Sequence, residues 1–125
     1  MSYLTKQFRL AVTVLCGNGT VKQRLAQAYL NHLDALHEDE LAPELRRSFG
    51  DIRSRLHAVR PAGGESPARA SVRKMSPLQA ADCARIIVEL YEALLRQESD
   101  GRVLHLVETG DEPAPVAVPR FLLKN

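Results

Sequence analysis

Apolar residues recur at helical spacing through most of this chain, and short polar breaks divide them into four stretches. In the first, Leu4, Phe8, Ala11, Val12 and Leu15 make one stripe, which predicts a helix from Leu4 to Leu15. Cys16-Gly17-Asn18-Gly19 ends it, because two glycines permit a tight reversal. Thr20 is placed to cap a second helix from Val21 to Leu36, with Leu25, Ala28, Tyr29, Leu33 and Leu36 inward. So short a turn makes the two helices antiparallel neighbours.

The acidic run His37-Glu38-Asp39-Glu40 leads to a third helix from Pro43 to Val59, with Leu45, Phe49, Ile52, Leu56 and Val59 as its stripe. The segment from Pro61 to Met75 is rich in Pro and Gly near its start and is expected to be a long non-helical connection. Ser76, Pro77 and Gln79 then form a capping box, which starts a fourth helix running to Arg96. Its polar positions occupy one narrow strip, with Arg85–Glu89 and Glu92–Arg96 at ion-pair spacing. Such breadth of apolar surface implies a central helix, or one that also meets a second protein.

Past Ser99-Asp100-Gly101 the pattern alternates. Arg102 to Val107 and Val116 to Leu123 are expected to be strands of a hairpin or parts of a loose tail. The fold expected is therefore mainly α: a compact bundle of about four helices over residues 1–99, with an extended or hairpin-like tail over residues 100–125.

Length and composition agree with this. The chain has 125 residues, 45% hydrophobic and 26% charged, enough to bury a core without disulfides or metal. Cys16 and Cys83 lie in apolar helical patterns and are expected to be buried, reduced thiols. No apolar run approaches the length of a membrane span. Lys6, Arg9 and the apolar run to Leu15 before Cys16 resemble a lipoprotein leader, but the run is short and Leu15 is large for that position. The expected location is the cytoplasm, with no membrane association.

Charge sharpens the picture. Net charge is only +2, yet residues 46–74 carry eight Lys/Arg against two acids. Arg46, Arg53, His57 and Arg60 share one strip of the third helix, and Arg69, Arg73 and Lys74 follow in the connection. These seven are the candidate anion- or partner-binding residues. Either they meet phosphates or an acidic protein, or they form a solvated face paired to neighbouring acids, with Arg69 on Glu65. Extended backbone would put Arg69, Ser71 and Arg73 on one side. Base-stacking aromatics are missing there, which argues against single-strand recognition.

Gly17-Asn18-Gly19-Thr20-Val21-Lys22 resembles part of a phosphate loop, but a helix precedes it where that loop needs a strand. The same helix pair would suit a helix-turn-helix reader, with only Lys22 and Arg24 as basic side chains on its second helix. The four histidines lack metal-ligand spacing, and no catalytic set is indicated. No cofactor or metal is expected. The reading is a non-catalytic adaptor or regulator that binds a nucleic acid, nucleoprotein assembly or acidic protein. The alternatives are a homo-oligomeric domain joined through the fourth helix and, behind it, a small enzyme.

Overall fold

The structure is a computed structural model that describes residues 2–109, with side chains through residue 100. Its elements are α1 (Tyr3–Leu15), α2 (Val21–Ala28) continuing into a π-helical turn (Tyr29–Leu33), a 3-10 turn (Glu38–Glu40), α3 (Pro43–Leu56), α4 (Pro67–Lys74) and α5 (Pro77–Thr109). No strand occurs among the described residues.

Helix starts follow directly from sequence. Ser2 caps α1, Thr20 caps α2, Ser66 caps α4 and Ser76 caps α5, each accepting from a backbone N–H three residues on. Gln23 and Gln79 return the bond to the backbone of Thr20 and Ser76. Pro43, Pro67 and Pro77 occupy first positions, where a missing N–H costs nothing. Gly19 turns between α1 and α2 at a φ of 101°, a conformation that favours glycine. Replacing Ser76 with Ala should lower the unfolding free energy by about 1 kcal/mol, read as a lower urea midpoint with an unchanged slope.

The first compact unit, Met1–Leu94, has one core. Phe8 of α1, Leu25 of α2, Tyr29 and Leu33 of the π turn, Phe49 and Ile52 of α3 and Ile87 of α5 are fully enclosed. The rings of Phe8 and Phe49 meet edge to face at 5.6 Å and join α1 to α3. α4 packs on both α2 and α3. Ser71 on α4 accepts the Val59 N–H at 3.0 Å, tying α4 to the chain that leaves α3. Of the second unit, beginning at Leu95, the described part is the remainder of α5.

Three expectations change. The connection from Pro61 to Met75 contains α4, because Ser66-Pro67 repeats the cap-then-proline start of Ser76-Pro77. Within α4, Ala68, Ser71 and Val72 form a buried i, i+3, i+4 stripe. Residues 102–107 continue α5 instead of forming a strand. One glycine inside a helix costs only about 1 kcal/mol, so Gly101 does not end it. The expected strand from Val116 to Leu123 lies outside the described residues. Finally, Cys16 is exposed at the end of α1, whereas Cys83 is buried.

The second helix also departs from regular α geometry. The Asp34 N–H donates to the Tyr29 carbonyl at 2.8 Å, an i to i+5 bond. The broad apolar surface of α5 is spent largely inside the first unit. Ala80, Cys83, Ile87, Leu90 and Leu94 are buried, and Ile86, Val88 and Tyr91 pack against them. Leu78 stands apart at 83% exposed.

Candidate anion-binding surface

The seven candidate residues divide sharply by what they touch. Arg46 and Arg53 serve the fold. Arg46 Nε donates to the Leu41 carbonyl at 2.9 Å and its Nη2 to that of Asp39 at 3.4 Å. Arg53 Nη1 donates to the carbonyls of Leu36 at 2.7 Å and Asp34 at 3.1 Å. Carbonyls that leave a helix lack helical partners, and these guanidinium groups supply them. The Arg53 guanidinium also stands 6.0 Å from the Phe49 ring centre.

His57 ends α3 in a polar knot. Its Nδ1 donates to the Arg53 carbonyl at 2.8 Å, and its Nε2 lies 3.5 Å from Asp34 Oδ1. Its ring meets Tyr29 edge-on at 5.9 Å. Tyr29 is fully buried, and its hydroxyl makes no hydrogen bond of good geometry among the described residues, with the Asp34 carboxylate close by. Burial pushes its phenol up to about 12; Arg53 pulls the other way and the nearby Asp34 carboxylate adds to the rise.

Neither acid of the basic segment is free. Asp51 pairs with Arg55 at 3.2 Å, and Arg55 also reaches Asp82 of α5 at 2.9 Å and the Cys83 sulfur at 3.7 Å. Arg85 holds the other Asp82 oxygen and Glu89. Hydrogen bonds from Arg85 and Arg55 keep the Asp82 carboxyl below its usual range, whereas burial pushes the Cys83 thiol up. These pairs are half-exposed, so solvent screening keeps their contribution to stability small. Glu65 is held by Arg73 in a two-pronged pair, Nη2 to Oε1 at 2.5 Å and Nε to Oε2 at 3.2 Å. The expected partner Arg69 is instead exposed, as are Arg47, Arg60 and Lys74. None of these four side chains has a hydrogen bond or ion pair among the described residues.

Two concavities adjoin these cations. An open groove of about 600 Å³ lies between the end of α3, α4 and the start of α5, with Val59, Met75 and Leu78 as apolar lining and Lys74 as a basic one. A second of about 400 Å³ lies between the start of α2 and α4, lined by Thr20, Lys22, Glu65, Arg69 and Arg73 among others. The helical i, i+4 step puts Arg69 and Arg73 in the same cavity, while Ser71 turns into the protein.

Lys22 is the residue that sequence reasoning left out of the site. Its Nζ donates to the Arg73 carbonyl at 3.0 Å, across 51 residues of sequence. Arg24, the other cation of the helix-turn-helix reading, donates from Nη1 to the Leu15 carbonyl and from Nε to that of Gly19. Among the described residues no His, Cys, Asp or Glu group could hold a metal ion, and no helix is long and apolar enough to cross a membrane. No family model, curated protein or solved structure matches the chain.

Proposed function

We propose that this chain is a non-catalytic adaptor or regulator that binds an acidic protein surface through the cations of α3, of the connection after it and of α4. The observation that carries this reading is the charge balance of residues 46–74. Both acids there are consumed by internal pairs, and Arg47, Arg60, Arg69 and Lys74 remain exposed and unpaired among the described residues. Unpaired surface cations attract and orient an acidic partner without a large desolvation cost.

Nucleic acid is supported less well. Four cations, Arg47 on α3, Arg60 in the connection after it and Arg69 and Lys74 on α4, release few counterions, and Arg24 is already committed to carbonyls of the fold. The test is fluorescence anisotropy of a labelled polyglutamate peptide and of a short DNA duplex. Binding of the peptide should weaken on adding salt, and R47A/R60A/R69A/K74A should lose about tenfold or more in affinity. Tighter binding to the duplex at matched salt would move the assignment to nucleic acid. Peptide binding indifferent to salt and to the four substitutions would end the reading.

A further inference from the structure

We propose that the cavity between the start of α2 and α4 binds a phosphate monoester dianion, and that Glu65 occupies the ligand's place in its absence. The proposal rests on the adaptor reading for the source of the ligand, a phosphorylated side chain of the partner. Three cations from two helices, Lys22, Arg69 and Arg73, line this cavity with a single acid, Glu65. One negative charge leaves the lining two charges positive.

Geometry identifies the ligand class. Arg73 presents Nε and Nη2 to both oxygens of Glu65, an arrangement that receives two oxygens of a phosphate equally well. Arg69 lies one helical turn earlier on α4 with its side chain unpaired among the described residues. The Lys22 ammonium is held beside Arg73 by a neutral carbonyl, so its charge is not cancelled and two of its N–H groups remain to donate. Thr20 accepts the Gln23 N–H with its hydroxyl oxygen, which leaves that hydroxyl's own hydrogen to donate.

Glu65 is tethered, so it competes at an effective concentration on the order of millimolar. A free carboxylate or a phosphodiester, each with one charge, gains little over it. A dianion with three acceptor oxygens gains a second charge against Arg69 and Lys22. Glu65 can also leave. The loop before it contains Gly63 at a φ of 64° and Gly64, and both positions face open space.

The experiment follows backbone amides of the full chain by NMR during titration with inorganic phosphate at constant ionic strength. Thr20, Lys22, Arg69 and Arg73 should shift saturably. E65Q should tighten binding about threefold or more, because the tethered competitor is lost, and R69A should weaken it about fivefold or more. Arg69 is exposed, so its loss leaves the fold intact. Unsaturable shifts, or an E65Q affinity equal to or weaker than wild type, overturn the proposal. A phosphoserine peptide binding more tightly than inorganic phosphate places the ligand on a protein; equal affinities place it on a free phosphate ester. Failure here with polyglutamate binding retained removes this site alone. Saturable phosphate with no polyglutamate binding removes the adaptor reading alone.

Discussion

Phe49→Ala should lower the unfolding free energy by about 3–5 kcal/mol, the largest loss expected of any single substitution in the first unit. Phe49 is fully buried at the centre of α3, with Phe8 of α1 edge-on against it and Arg53 near its ring. Truncation removes the transfer free energy of the ring and leaves a cavity that α1 and α3 cannot close without moving the elements packed on them. The Arg53 guanidinium would also lose its ring contact while still bound to the carbonyls of Leu36 and Asp34. Urea unfolding followed by circular dichroism measures the effect. Phe49→Leu should cost much less, on the order of 1 kcal/mol, because most of the volume remains. A loss under about 1 kcal/mol for the alanine variant would mean that α1 and α3 do not share one core.

Thr20 before the Val21 stripe and Ser76-Pro77-Gln79 before the fourth stripe each join a cap to a stripe, and α2 and α5 begin there. Leu4 to Leu15 and Pro43 onward rest on the stripe and the breaks beside it, and fall within a few residues of α1 and α3. α4 carried the same signal at Ser66-Pro67, but the glycines and proline before it outweighed a buried stripe made of Ala68, Ser71 and Val72. Small residues give a weak hydrophobic pattern, so the helix was hidden. The length of α5 was missed for the opposite reason: Gly101 and β-branched neighbours were given more weight than a helix already under way.

The site was half legible. Spacing alone put Arg46, Arg53, His57 and Arg60 along one flank of a helix reaching Val59, but α3 ends at Leu56 and leaves Arg60 beyond it. Nothing local reveals that Arg46 and Arg53 face the carbonyls of residues 34–41. Arg69 and Arg73 share a side as expected, through a helical rather than an extended period. Their third companion, Lys22, comes from the loop-and-helix start that was weighed as a phosphate loop. Its partnership with α4 is a product of packing, and no spacing rule reaches across 51 residues.

The folded chain should also lose stability between about pH 10 and pH 12, and Tyr29 should account for roughly 2–3 kcal/mol of that loss. Below its ordinary value of 10.0 the phenol is neutral in both states, so its contribution is complete there. Above that value the unfolded chain ionises, while the buried phenol, pushed up to about 12, does not. The unfolded state gains from ionisation until the folded pKa is passed, so stability falls with rising pH across this window. Tyr29→Phe separates this cause from others. It removes a buried hydroxyl that makes no hydrogen bond of good geometry among the described residues, so stability at neutral pH should hold or rise by about 1 kcal/mol. It should also flatten the alkaline loss, as read from urea midpoints at pH values on either side of the window. An equal alkaline fall in the variant and the parent would assign the loss to other groups. A clear drop in neutral-pH stability would show that the hydroxyl is satisfied in solution, with the Asp34 carboxylate as the acceptor nearest in charge and position.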